Sequence, residues 1–271
     1  MYDAGFGMPR RQFRLNGMKQ NFPRLADSVL AYGSALLITV TMHEFGHGLT
    51  ALLFGQHPTV YGLHEEDIAS SITAVGVIAA AGPIVSLIVG LIFLAIHKRL
   101  QGQGFARYLT LWLGLLGIAT FFGYLLTAPF YKDGDVYKVL ATLGLASPLF
   151  TILSFLVGAV GIVQLARVGL PCLLHLTNSD MPLRPQMMEL GFLTWLMGSG
   201  VVLLAMIPEV PYMLAAVGLF VPPINLFASQ RDQSKPYGEP GAAPTLSVVG
   251  IGLFIALVLL EQTILRKGVH L

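Results

Sequence analysis

The sequence predicts an all-α polytopic membrane protein with six or seven transmembrane helices, and three observations carry that prediction. Of its 271 residues, 55% are hydrophobic and only 11% are charged, where a soluble domain carries about 25% charged residues. The apolar residues gather in runs of spanning or near-spanning length whose interiors lack Asp, Glu, Lys and Arg, with one exception. The polar stretches between the runs are too short to fold as an extramembrane domain.

Seven runs can be marked in order, over 28–55, 71–96, 108–130, 146–166, 190–207, 210–228 and 245–261. The first follows a polar tail, residues 1–27, with Arg10, Arg11, Arg14, Lys19 and Arg24. That tail has no apolar stretch ending at a small-residue cleavage site, so it does not read as a signal peptide. The fifth and sixth runs are short and separated only by Pro208-Glu209-Val210-Pro211, which makes them a tight hairpin or one broken helix. Residues 229–244, with Pro236, Gly238, Pro240, Gly241 and Pro244, read as a flexible connection.

A net charge of +2 without a dense basic stripe excludes a nucleic-acid partner. A single cysteine, Cys172, excludes an internal disulfide framework. With the N-terminus cytoplasmic, all of the 16 Lys and Arg residues except Lys132, Lys138, Arg266 and Lys267 fall on the inside. The positive-inside rule favours that arrangement, which puts the Gly55 end of the first span outside.

The exception to the uncharged runs is Glu44, within His43-Glu44-Phe45-Gly46-His47. A charged group at mid-bilayer costs roughly 2.5–3.5 kcal/mol on insertion scales, so three polar groups in five residues need compensation. On a helix, residues four apart share a face, so His43 and His47 can offer two ring nitrogens to one metal ion. Glu44 lies about 100° around the helix. From there it can reach a metal-bound water, which is the general-base role in H-E-x-x-H zinc proteases. Two core histidines beside a protonated acid is the bland alternative; it needs three unrelated polar burials at once.

Zinc also needs a third protein ligand. The acids on offer are Asp133, Asp135, the cluster Glu65-Glu66-Asp67, and the scattered Glu189, Glu209 and Glu261. His43 sits beyond the middle of its span, toward Gly55. The third run travels the same way and delivers Tyr131-Lys132-Asp133-Gly134-Asp135 to that side, whereas Glu189 falls on the opposite one. Asp133-Gly134 also has a plain reading as a turn, with its acids paired to Lys132 and Lys138.

Together these segments resemble the site-2 protease family of intramembrane zinc metalloproteases (peptidase family M50). Residues 36–47 are similar to the family's first motif, Ala80-Ala81-Gly82-Pro83-Ile84-Val85-Ser86 to its A-G-P-x-x-N segment, and Asp133-Gly134 to its L-D-G motif. Ser86 stands where asparagine is usual, Lys132 where leucine is usual, and Asp135 where a second glycine is common. The resemblance covers about residues 30–140 and implies a three-helix zinc-binding core, here 28–145, with 146–271 forming flanking helices that gate substrate access. It makes Asp133 the preferred third zinc ligand over Asp135, and it suggests a short membrane-associated β-hairpin within 56–70. The family usually holds its zinc near the cytosolic face, which runs against the charge count, so the orientation stays open between the two.

Other polar residues read as structural. His57 and His64, beside Glu65, Glu66 and Asp67, suit a solvated interfacial loop. His97 and His270 suit span ends, and His175 a structural place. The methionines at 181, 187, 188, 197, 206 and 213 suit lipid-facing packing. Gly46, Gly48 and Gly82 would let helices approach closely near the metal.

The expectation is therefore a zinc endopeptidase of a cell membrane, by resemblance a bacterial inner membrane, acting on a transmembrane segment of another protein. His43, His47 and Asp133 hold Zn²⁺ and Glu44 is the base. A CAAX-type membrane metalloprotease, with glutamate as third ligand, and a non-catalytic metal-binding membrane protein are the alternatives.

Overall fold

The computed structural model describes residues 10–61, 65–66, 71–101, 104–177, 183–205, 224, 227–228, 230–231 and 246–271, with side chains from Phe22 onward except those of 65 and 66. Among these residues six helices are long and apolar enough to cross a membrane: Phe22–Leu53, Ile72–His97, Phe105–Thr127, Pro148–Leu174, Leu183–Ala205 and Val248–Lys267. The all-α polytopic fold is what the structure shows. The run at 210–228 lies outside the described residues except for Ile224, Phe227 and Ala228; so do 208–211, His64, Asp67, Met181, Met206, Met213 and 232–244.

Helix α1 (Arg10–Leu53) continues N-terminally through most of the stretch read as a polar tail. Two of that stretch's charges, Arg24 and Asp27, are buried inside the bundle rather than solvated. Helices α2 (Ile72–His97) and α3 (Phe105–Thr127) pack against α1 and most closely against each other. Gly90 and Gly117 meet backbone to backbone at their crossing, the small-residue contact that lets helices approach without a hydrophobic drive from water. A short helix α4 (Asp135–Thr142) follows, too short to span, and then α5 (Pro148–Leu174).

The next span is composite: α6 (Leu183–Met187), a π-helical stretch Met188–Leu193, and α7 (Thr194–Ala205). Helix α8 (Val248–Thr263) returns to α1. Tyr32, Leu36, Trp112, Leu115, Leu116, Leu170 and Leu173 form the fully buried centre. Outward residues of α2 and α5, such as Ile88, Leu91, Leu156 and Val160, are exposed and apolar. In water such faces would be a liability; in hydrocarbon they are solvated.

A buried polar layer ties the bundle at the end far from His43. The Arg24 guanidinium donates to Gln186 Oε1 at 2.9 Å and lies 3.5 Å from Glu189 Oε2, which the π-helical stretch presents. Ser28 Oγ accepts from Trp112 Nε1 at 3.2 Å and sits 3.0 Å from Thr194 Oγ1. Asp27 Oδ1 accepts from the Ser247 amide at 2.9 Å, next to the start of α8. Polar groups in hydrocarbon must find partners inside the protein, so this layer sets the register of α1, α3, α7 and α8.

After α1 the chain forms a hairpin, β1 (Thr59–Val60) with β2 (Glu65–Glu66), within the stretch where the resemblance suggests one. A third strand, β3 (Val269–His270), pairs with the other side of β1 and was not anticipated.

Candidate metal centre

The pentapeptide lies about three turns before the end of α1. His43, Glu44 and His47 are all buried, at 1%, 4% and 5% exposure. Their helix is enclosed there by α2, α3 and α4, and the neighbours explain how each ring is held.

His47 Nδ1 lies 2.7 Å from the Ile78 carbonyl of α2. A carbonyl only accepts, so Nδ1 carries a proton and the ring turns Nε2 toward His43. His43 Nδ1 lies 3.1 Å from Ser86 Oγ, one further buried hydroxyl on α2. Tyr124 of α3 stacks on the His43 ring, with centroids 4.6 Å apart and planes 9° from parallel. Both imidazoles are thus oriented by groups on their outer nitrogens or faces, which is how metal-binding histidines are held in register.

The third group is Asp135. Its Oδ2 lies 3.1 Å from His43 Nε2 and 3.3 Å from His47 Nε2, and the two Nε2 atoms are 3.1 Å apart. With both rings unprotonated at Nε2, these three atoms repel one another unless a cation is shared among them. Bonds of about 2.0–2.1 Å in a tetrahedral site imply donor separations of roughly 3.3 Å, so the donor set fits a divalent metal ion.

The fit extends to α2. A Cβ on Gly82 would come within 2.3 Å of His47 Nε2 and 2.8 Å of His43 Nε2, so the helix backs onto the donor triangle at the one residue that leaves room.

Asp133, the preferred third ligand on sequence, is not the residue brought to the histidines. It is exposed, in the turn between α3 and α4, where the Gly134 amide donates to the Tyr131 carbonyl. Two residues later Asp135 opens α4, a position that favours an acid because the helix N-terminus carries partial positive charge. The register of α4 against α2 then places it. Thr142 packs on Gly76 and its hydroxyl donates to the Ile72 carbonyl, and the two helices run antiparallel. Counting back seven residues from Thr142, about 10 Å, reaches Asp135; counting forward six from Gly76, about 9 Å, reaches Gly82 and the histidines.

Two other acids among the described residues lie elsewhere. Glu189 meets Arg24 in the far polar layer, and Glu261 lies 2.8 Å from Thr41 Oγ1 through its Oε1. His57 is exposed, as expected for an interfacial loop; His97 is buried, with Nδ1 3.0 Å from the Arg107 carbonyl. Met188 and Met197 are exposed on the outer surface, but Met187 is buried in the core.

Among the described residues, His43, His47 and Asp135 form the one group of three or more candidate ligands whose donor atoms converge on a point. Comparisons with models of known protein families, with characterised proteins and with solved structures gave no match. The chemistry of this site is what bears on function.

Proposed function

We propose that the protein is an intramembrane zinc endopeptidase that hydrolyses a peptide bond within or beside a transmembrane segment of another membrane protein. The observation that carries this reading is the convergence of two imidazole nitrogens and one carboxylate oxygen, 3.1–3.3 Å apart, below the ends of membrane-spanning helices and beside a buried glutamate. His43, His47 and Asp135 would hold the ion. Three protein ligands leave a fourth position open, as catalytic rather than structural zinc sites do.

Zinc bound there would acidify a water and polarise a carbonyl. The chain's own residues supply the rest. Glu44, one residue beyond His43 and within electrostatic reach of His47, is placed to take a proton from the attacking water. It then returns that proton to the nitrogen of the departing amine, so its carboxylate is regenerated in each cycle. Ile78, Ser86 and Tyr124 keep both rings from turning out of register. The apolar walls of α2 and α3 exclude bulk water and make the carboxylate's charge count for more. A helical substrate hides its amides in hydrogen bonds and has to unwind locally before a peptide group can reach the site.

The acid at the histidines is an aspartate from α4, which counts against a CAAX-type enzyme with a glutamate ligand. Glu44→Gln separates the catalytic reading from a non-catalytic metal site. The purified variant is expected to retain zinc and lose cleavage of a transmembrane substrate; wild-type turnover by Glu44→Gln would refute the assigned base.

A further inference from the structure

The small sheet runs in the order β2-β1-β3, so β1 is paired on both sides. Its hairpin partner takes one side. The other is held by the last residues of the sequence, in register Thr59 with His270 and Val60 with Val269. The Leu271 amide extends the pairing by donating to the Pro58 carbonyl at 3.0 Å, and Thr59 Oγ1 lies 2.8 Å from His270 Nδ1. Gly268 makes the turn into this strand at φ 82°, where a side chain would be strained and would strike Thr59 and Tyr61.

This strand lies against a particular flank of α1. Gly48 is one turn beyond Glu44 on the same face. A Cβ at Gly48 would come 2.4 Å from Val60 Cγ2 and 3.1 Å from Leu271 Cδ1. One turn before Glu44, Thr41 meets Glu261 near the end of α8. Glu261 near the end of α8 and Leu271 after β3 thus meet α1 one turn to either side of Glu44.

Extended peptides dock on sheet edges because the edge supplies backbone partners. The side of β1 away from its hairpin partner is already taken by β3. We propose that Val269–Leu271 is an autoinhibitory strap: it occupies the edge of β1 that an extended peptide needs, and must lift before such a peptide can lie beside Glu44. This rests on the metalloprotease reading. A strand with so few backbone bonds belongs to the low-stability end of local opening, as a displaceable element requires. If the strap is docked about nine-tenths of the time, it weakens peptide binding about tenfold.

The test uses the zinc-loaded full chain in detergent, a fluorescent extended peptidyl hydroxamate as probe, and acetohydroxamate as a small metal-binding control. Thr59→Cys with His270→Cys lets an oxidant tie β3 to β1; Cys172 is buried and out of the way. Oxidation is expected to weaken the peptidyl probe by about tenfold or more relative to the reduced protein, leaving acetohydroxamate unchanged. Removing Val269–Leu271 is expected to tighten the peptidyl probe by about tenfold. Equal peptidyl affinity in the oxidised, reduced and shortened proteins would overturn the strap while leaving the metal site standing. Wild-type protein that takes up no zinc and binds neither hydroxamate would overturn the metalloprotease reading itself, and the strap with it.

Discussion

Ser86 Oγ lies 3.1 Å from His43 Nδ1, so the hydroxyl holds the ring from the nitrogen opposite the one that faces Asp135. Both groups are buried, and a serine hydroxyl there can accept a hydrogen bond from Nδ1–H, the tautomer that leaves Nε2 its lone pair for a metal. Loss of such an outer partner usually costs about 10–100-fold in metal affinity. Ser86→Ala is therefore expected to weaken zinc binding by about tenfold with the fold intact, and Ser86→Thr to recover most of it. Competition with a chromogenic chelator measures both; unchanged affinity in Ser86→Ala would remove the hydroxyl from the account.

Gly82 tests the site from beneath. A methyl group there would overlap both Nε2 atoms, and the nearest atoms belong to the ligands themselves rather than to flexible chain ends. Gly82→Ala should displace the rings and abolish stoichiometric zinc, yet leave the helix content seen by circular dichroism unchanged, since alanine favours helix. Full zinc occupancy in Gly82→Ala would mean that the backing by α2 is looser than described.

The far polar layer predicts a stability effect without a metal effect. Arg24→Ala would take the guanidinium from Gln186 and from the Glu189 carboxylate. Removing one partner of a buried ion pair costs about 3 kcal/mol, and Glu189 is partly exposed, so the loss belongs at or just below that figure. Arg24→Met combined with Glu189→Leu should recover most of the loss, because neither charge then lacks a partner. A double-mutant cycle in detergent, with zinc content followed in parallel, checks this; a zinc loss in Arg24→Ala matching the stability loss would show the two ends to be coupled.

Much of this was legible in the sequence because polar residues stand out in hydrocarbon. His43, Glu44 and His47 could be read as one site from a five-residue window, since helical spacing alone puts the histidines on a common face. The third candidate ligand is harder to read. The turn after α3 carries two aspartates, and motif resemblance favoured Asp133, yet the position of α4 against α2 brings in Asp135. The usable signal was local: Asp135 opens the short amphipathic segment through Thr142, where an acid suits a helix N-terminus, while Asp133 precedes the glycine of a turn. Arg24 falls in the segment that reads as a polar tail, because charge in a flanking segment carries no mark of burial. Strand β3 could not be foreseen, because pairing across 210 residues leaves no local pattern in so short a strand.

Metal content of two single variants tests the central claim most directly. Purified Asp135→Ala should lose zinc by elemental analysis, while Asp133→Ala and the wild-type protein should each hold about one ion per chain. Stoichiometric zinc in Asp135→Ala, or its loss in Asp133→Ala alone, would contradict a centre built from His43, His47 and Asp135.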